Sequence, residues 1–411
     1  MRPTPHLTCP HRPQCPGCPR FGRPGLGANA RGALLALAER AGLAAPEIVE
    51  GPPVAFRHRA RLAVRGRAAN PKIGIFENAS HRVVHIPDCR IHHPLINEVA
   101  RVVRRAMVDQ GVAPYSDAAH AGSVRYLQIV VERKSQSAQL VVVTRETSPD
   151  GLGPFFASVA ESLGSRLHSS WWNSQPERSN AVVGDLWQKI SGPDTVSEMC
   201  GNTRLFYPPG AFGQSHLELA DQIQRAVAEF VPDGARAVEY YAGVGALGLP
   251  LAPRLTRLEL NELNPESLSG LSLGVAQLPS EQQARIQVHP GSAGASASRL
   301  AEADVVLVDP PRKGLDAELF AQLLATPVQR LIYVSCGLAA LLGEAEQLLG
   351  SGRYRLAALK AFACFPYTEH VETLAVFEAA HSKEQTYSTI PLATAMSKPD
   401  FAGTRNDAPC G

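Results

Sequence analysis

Arg236-Ala237-Val238-Glu239-Tyr240-Tyr241-Ala242-Gly243-Val244-Gly245 reads as a strand that stops on a glycine-rich turn. Two later runs end in a similar way: Val305 to Val308 on Asp309-Pro310-Pro311-Arg312, and Leu331-Ile332-Tyr333-Val334-Ser335 on Cys336. In an open α/β sheet, ligands bind outside the carboxyl ends of the strands. Three parallel strands would therefore bring a nucleotide loop, an acid and a thiol into one crevice, and a thiol beside a bound cofactor suggests covalent chemistry. The surrounding texture favours parallel strands. Residues 217–230 read as a helix, 236–240 as a strand, 246–253 as the opening of a helix, 256–260 as a strand and 265–278 as a helix. That alternation is the signature of βαβ units.

Upstream the texture differs. Residues 31–43 predict a helix, with Leu34, Leu35, Leu37 and Leu43 apolar and Gly42 near its end. From Phe56 onward Arg59, Arg61, Arg65 and Arg67 alternate with Ala60, Leu62, Val64 and Gly66, the period of a strand. Asn70-Pro71-Lys72 predicts a turn into a second strand over 73–76. A helix over 94–108 and strands over 126–132 and 139–144, joined by a polar turn at 134–137, make the region to about Leu205 α+β. Residues 1–25 are rich in Cys, Pro and Gly without apolar periodicity, so something other than a core must hold them. Beyond Ala380 the composition is that of a disordered tail. The 411 residues therefore divide into a cysteine-rich segment with a helix (1–50), a central α+β domain (51–205), an α/β domain (206–380) and a tail (381–411).

Hydrophobic residues at 45% and charged residues at 19% describe an ordinary globular chain. No apolar stretch nears the roughly 18 residues of a spanning helix, and the start lacks a secretory core, so a cytoplasmic protein without a membrane partner is expected. The net charge of +2 hides a polarity: residues 1–110 carry 17 Lys+Arg against 7 Asp+Glu, and the remainder 23 against 31. A positive front suits a polyanionic partner, although an arginine-solvated surface gives the same count.

Gly243 and Gly245 give backbone room for a ligand at a helix N-terminus, yet glycines in such turns also serve only to pack strand against helix. No Gly-Lys-Ser/Thr follows, which argues against a triphosphate. Glu262, about twenty residues on, can bind ribose hydroxyls. A short loop plus a ribose acid fits S-adenosyl-L-methionine, which has no phosphates. Cys336 at a strand end is either a buried core thiol or a nucleophile with a base in reach. Phe365-Pro366-Tyr367-Thr368-Glu369-His370-Val371-Glu372 offers Glu369, His370 and Glu372 as candidate bases, and Cys364, in strand-like texture, is the competing thiol. Cys9, Cys15 and Cys18 are spaced Cys-x5-Cys-x2-Cys, with Cys89 as a distant fourth. Disulfides are disfavoured in a reducing compartment, and four thiolates hold either zinc or an iron–sulfur cluster.

Together these motifs resemble the RNA uracil-5-methyltransferase family, specifically its iron–sulfur branch that modifies 23S ribosomal RNA, over roughly residues 9–380. The resemblance implies an α/β fold with a C-terminal Rossmann-like, S-adenosyl-L-methionine-dependent methyltransferase domain, a central α+β RNA-binding domain and an N-terminal iron–sulfur segment. It implies that Cys9, Cys15, Cys18 and Cys89 hold a 4Fe-4S cluster, and that Phe56-Arg57-His58-Arg59-Ala60-Arg61 is a basic entry strand whose arginines hold phosphates. Gly210-Ala211-Phe212-Gly213-Gln214 looks like the family's Ser-Phe-Phe-Gln motif, so Gln214 would touch cofactor and uracil and Phe212 the base. Tyr241, Gly243, Gly245, Glu262 and Asp309 would meet the cofactor, and Asp309 the uracil edge as well. Cys336 would be the nucleophile and Glu372 the general base.

This sequence departs from the family pattern at His216, where Asn is usual, at Gly337-Leu338, in place of Asn-Pro, and at Ser292, in place of an acid. The chain begins at the cysteines, which implies the type without an N-terminal barrel domain; members acting on transfer RNA resemble the back half but lack the cysteines. The expectation is a monomeric enzyme forming 5-methyluridine in ribosomal RNA. The alternatives are a cluster-bearing RNA-binding protein with a decayed methyltransferase domain, and a methyltransferase acting on tRNA uracil or RNA cytosine.

Overall fold

The computed structural model describes residues 8–179 and 181–380, so the tail expected over 381–411 lies outside the described residues. After helix α1 (Ala28–Arg40) and strand β1 (Glu47–Val49), the chain builds a seven-stranded sheet. Its strands are β2 (Arg59–Arg67), β3 (Asn70–Phe76), β4 (Val83–His85), β5 (Val124–Glu132), β6 (Ser137–Thr144), β7 (Leu167–Ser174) and β8 (Leu186–Ser191), in the order β4-β3-β2-β5-β6-β7-β8. Helices α2 (Pro94–Asp109) and α3 (Gly153–Leu163) cover one face. Ile96, Val99, Val103 and Met107 recur at helical spacing and bury against Leu62, Val64, Leu127 and Ile129. Side chains alternate along a strand, so Arg59, Arg61 and Arg65 point from the other face.

The expected turn at Asn70-Pro71-Lys72 is not there. Those residues already belong to β3, paired with Arg67, Gly66 and Arg65, and Ala68-Ala69 make the two-residue connection. Cross-strand pairing overrode a turn-like composition.

A hairpin, β9 (Val196–Cys200) and β10 (Thr203–Tyr207), leads into the second unit. Its elements are α4 (Leu217–Glu229), β11 (Arg236–Tyr240), β12 (Arg257–Glu262), α5 (Pro265–Ala276), α6 (Ser280–Gln283), β13 (Ile286–Pro290), β14 (Val305–Val308), α7 (Ala317–Ala325), β15 (Arg330–Ser335), α8 (Leu338–Gly350), β16 (Tyr354–Phe362) and β17 (Glu372–Ala379). The sheet order is β1-β16-β17-β15-β14-β11-β12-β13. Strands β11 to β15 are parallel, and β17 runs antiparallel between β15 and β16. The winding reverses between β11 and β14, which opens a crevice at their carboxyl ends.

Two sequence readings change. The helix expected over 246–253 is a short 3-10 turn, Leu249–Arg254, because Pro250 and Pro253 supply no N–H to an α-helix. Residues 28–49, grouped by sequence with the cysteines, pack with the second sheet instead. Leu34 and Leu37 of α1 join Val306, Leu331 and Phe377 in one core, and β1 pairs with β16. No helix among the described residues is long and apolar enough to cross a membrane.

His216 stands where the two sheets meet. It caps α4 by accepting the Leu219 N–H on Nδ1 at 3.4 Å, the task an Asn would perform, and its ring stacks on Phe56 at 4.9 Å. Burial pushes its imidazole down to about 4. Below the ordinary value of 6.5, the unfolded chain takes up a proton that the folded ring refuses, so stability falls with falling pH until about pH 4. We expect His216→Asn, which keeps a cap, to flatten the decline in thermal midpoint between pH 7 and pH 5. Parallel wild-type and variant curves would locate the acid sensitivity in other groups.

Candidate active site

A cavity of about 910 Å³ opens at the carboxyl ends of β11, β12, β14 and β15, and Arg61 of β2 and Arg133 just past β5 reach it from the first sheet. Gly243 and Gly245 divide the two roles considered for the loop. Gly243 has φ +57°, and nothing lies within 4 Å of where its Cβ would stand, so it leaves the cavity wall open. A Cβ on Gly245, φ +84°, would stand 2.6 Å from Leu249 Cγ and 2.8 Å from Leu271 Cδ1; this glycine serves packing and is not part of the wall.

Tyr241, at φ +60°, holds a left-handed backbone unusual for its type, and its hydroxyl accepts the Asp316 N–H at 2.8 Å. Glu262 braces the loop. Its Oε2 accepts the Gly243 N–H at 2.7 Å, and its Oε1 accepts those of Leu263 and Asn264 at 2.8 and 2.6 Å. A carboxylate has about four acceptor positions, so one is left for a hydroxyl from the cavity. Ser292 lines the wall in the position where the family carries an acid, and the neighbouring backbone is tied down by Asn261, whose Nδ2 donates to the carbonyls of His289 and Gly291 at 3.0 Å each.

The thiol and the acids come from neighbouring strand ends. Val308 pairs with Tyr333, so Asp309 follows beside Val334. Ser335 pairs with Thr373, and the same register sets Cys336 opposite Glu372. Asp309, Cys336 and Glu372 all line the cavity. The other two candidate bases turn outward: His370 is exposed, and exposed Glu369 lies 3.5 Å from Arg20 Nε. Cys364, read as a strand residue, sits in the turn beyond β16 and is buried in the core away from the cavity wall.

Gln214 lines the cavity, and Phe212, 41% exposed, stands at its mouth. The three entry-strand arginines do not form one row. Arg61 reaches the cavity, with its Nε donating to Gln128 at 2.8 Å. Arg59 is only 7% exposed, its guanidinium 4.3 Å from the Tyr207 ring and packed against Gly213. Arg57 lies over Phe365 at 5.9 Å, beside the cysteine segment. The segment 207–214 covers the strand face that alternation alone leaves open.

Two cavity residues were not singled out from sequence. Glu239 is 1% exposed, and burial, with Asp309 and Glu262 nearby, holds its carboxyl well above the usual carboxylate range. A single acid inside an otherwise apolar strand was the available signal. Arg133 pairs with Glu198 at 2.8 Å and with Asp221 at 2.7 Å, fastening the end of β5 to β9 and α4. Its partners are distant in sequence, which gave no signal.

None of Cys9, Cys15, Cys18 and Cys89 is in a disulfide. Burial pushes the Cys18 thiol up to about 12, and the charges of Cys89, Cys15 and Cys9 add to the effect; Cys89 rises to about 11 for the same first reason. Cys18 is thus within electrostatic reach of the other three. Among the described residues, no three His, Cys, Asp or Glu side chains gather as a site for a metal ion.

Comparison with known proteins agrees with this geometry. The model of the tRNA (uracil-5-)-methyltransferase family matches residues 298–380. An uncharacterized RNA methyltransferase of Protochlamydia amoebophila is 34% identical over 380 residues, which is 90% of this chain and 97% of the relative. One from Gloeobacter violaceus is 28% identical over 342 residues, 81% of this chain and 72% of the relative. Among solved structures, the Pyrococcus abyssi tRNA (uracil-54, C5)-methyltransferase bound to S-adenosyl-L-homocysteine is similar with a TM-score of 0.70, at 21% identity, over 85% of this chain and 83% of its own. That likeness establishes the α/β methyltransferase fold.

Gly337 accounts for one departure from the family motif. A Cβ there would stand 2.4 Å from the Arg312 carbonyl oxygen, so glycine lets the Asp309–Arg312 turn close against the thiol turn. Gly337→Asn, the family's usual residue, should cost about 1–3 kcal/mol by overpacking, read from urea unfolding. Unchanged stability would mean that the two turns yield easily.

Proposed function

This chain belongs to the uracil-5-methyltransferase family of S-adenosyl-L-methionine-dependent RNA methyltransferases, and from that premise we propose that it methylates carbon 5 of a uridine in ribosomal RNA through a transient bond to Cys336. The observation that carries the reading is that Cys336 and Glu372, the neighbours of the paired Ser335 and Thr373 of β15 and β17, both line the cavity that also holds the Gly243 loop.

Carbon 5 of uracil is too weak a nucleophile to attack a sulfonium methyl unaided. Addition of the Cys336 thiolate to carbon 6 makes an enolate and concentrates electron density on carbon 5. S-adenosyl-L-methionine supplies the methyl that carbon 5 takes up. Glu372 then removes the carbon 5 proton, the carbon 5–carbon 6 double bond re-forms, and Cys336 leaves as thiolate. Asp309 and Gln214 hold the uracil edge, Phe212 packs against the base at the mouth, and Arg61 meets phosphate. A stacked base hides its reacting face, so the uridine must be unpaired or flipped.

Cys9, Cys15, Cys18 and Cys89 hold a 4Fe-4S cluster in this reading. The cysteine spacing is what supports this assignment, while among the described residues no three of these side chains gather as a metal site. A cluster held by these four thiols would tie the N-terminal segment to the turn before α2. The ribosomal target rests on the cysteine spacing, while the family model and the Pyrococcus relative favour transfer RNA as the second reading. Mapping 5-methyluridine in both RNAs from cells with and without this chain decides between them.

Wild-type protein is expected to form a denaturant-stable adduct with 5-fluorouracil RNA, whose carbon 5 substituent cannot leave as a proton. Cys336→Ala should form none and lose turnover while retaining cofactor binding. Glu372→Gln should lower turnover about 10²–10⁴-fold and accumulate adduct on ordinary RNA. RNA binding by the wild type without any adduct would favour the decayed domain, and methyl incorporation into cytidine would reassign the base. Cys15→Ser should lose brown colour and soluble yield before chemistry; zinc alone in anaerobically purified protein would reject the cluster.

A further inference from the structure

The loop between β16 and β17 leads into Glu372, and the cysteine segment grips it chiefly through Arg20. Arg20 donates its backbone N–H to the Tyr367 carbonyl at 3.0 Å. Its Nη1 donates to the carbonyls of Thr368 at 2.9 Å and Gly25 at 3.1 Å, and its Nη2 to that of Leu26 at 3.3 Å. Its Nε lies 3.5 Å from Glu369 Oε1. The Phe21 ring meets that of Tyr367 with centroids 4.9 Å apart. Gly27 lets the segment pass against the loop, since a Cβ there would stand 2.0 Å from Glu369 Oε2. Only a planar fork of five donors can join three carbonyls and a carboxylate in this way.

The same turn presents Cys18. The Cys18 carbonyl accepts the Phe21 N–H at 3.0 Å and Arg12 Nη1 at 3.2 Å. Cys18 and Arg20 therefore belong to one turn, and Arg20 spans 348 positions of sequence to reach Thr368.

We propose that Arg20 is a positioning residue for proton removal, and that through it the cysteine segment governs the elimination step and not the capture of RNA. The inference rests on the covalent mechanism proposed above. In that step the carbon 5–hydrogen bond breaks and the proton passes to the Glu372 carboxylate. The freed pair forms the carbon 5–carbon 6 double bond, the carbon 6–sulfur bond breaks, and the thiolate keeps its electrons. Thiolate addition and methyl transfer need no proton at Glu372, so a displaced loop slows only proton removal and the release of product.

The test compares the full-length wild type with Arg20→Ala and Arg20→Lys. With 5-fluorouracil RNA, which reports addition and methyl transfer, Arg20→Ala should form adduct at the wild-type rate. On ordinary RNA its kcat should fall about 10–100-fold, the scale of a small misplacement remote from the chemistry, and adduct should accumulate. Arg20→Lys, which keeps a donor, should recover part of kcat; should the alanine variant be insoluble, the lysine variant carries the same comparison at smaller amplitude. Equal losses of adduct formation and turnover would make Arg20 a merely structural residue, and unchanged turnover would show that strand pairing alone positions Glu372. Either result overturns the proposal. Absence of the wild-type adduct would instead sink the covalent mechanism, a separate outcome.

Discussion

The insertion of β17 between β15 and β16 is the constraint on which the site depends. Parallel strands β11 to β15 alone would deliver the cofactor loop, Asp309 and Cys336 to one edge, with no second acid beside the thiol. Running antiparallel, β17 starts at the edge where β15 ends, so its first residue faces the residue just past the end of β15. A shift of one residue would turn the Glu372 side chain to the opposite face of the sheet. Leu374, Val376 and Phe377, buried on either face, hold the register against such a slip.

Charge is arranged to the same end. Glu239, Glu262 and Asp309 share the cofactor side of the cavity. Burial pushes the Glu239 carboxyl well above the usual carboxylate range, and the nearby Asp309 and Glu262 add to the effect. Positive charge reaches the cavity from Arg61 of β2, from Arg133, and from Arg312 and Lys313 on the turn that carries Asp309. Groups of both signs thus face the cavity. The Arg133 pairs with Glu198 and Asp221 hold the two halves in this relation.

The α/β half of the fold was legible because parallel strands buried on both faces leave continuous apolar runs, as at Val305–Val308, and because each run stops on a residue that marks the crevice. Cys336, Asp309 and Glu372 could be grouped from those endings and from the family resemblance. The arginines could not be sorted. Alternation assigns Arg59 and Arg61 to one face correctly, but which of them a distant segment covers is tertiary information, and Tyr207 and Gly213 decide it. Placement of α1 and β1 in the second sheet was equally hidden, since nothing local to residues 28–49 names a partner more than 300 positions away. Misread turns and helices, at Asn70-Pro71 and at Pro250 and Pro253, came from weighing local composition before pairing and N–H supply.

Departures from the family pattern bear on whether such a site has decayed. Random loss would leave a substituted residue without a task, or a cavity out of register. His216 instead performs the helix cap that an Asn would, packed into a niche that Gly51 opens beside its ring. Gly337 fits a contact that any side chain would block, and that contact brings the acid turn toward the thiol turn. Ser292 keeps a polar side chain on the cavity wall, its hydroxyl accepting the Ala295 N–H at 3.3 Å. Each of the three residues thus has a definite contact of its own. Compensation of this kind is what continued selection on a working geometry leaves behind, and it weighs toward the active enzyme proposed above and against a decayed domain.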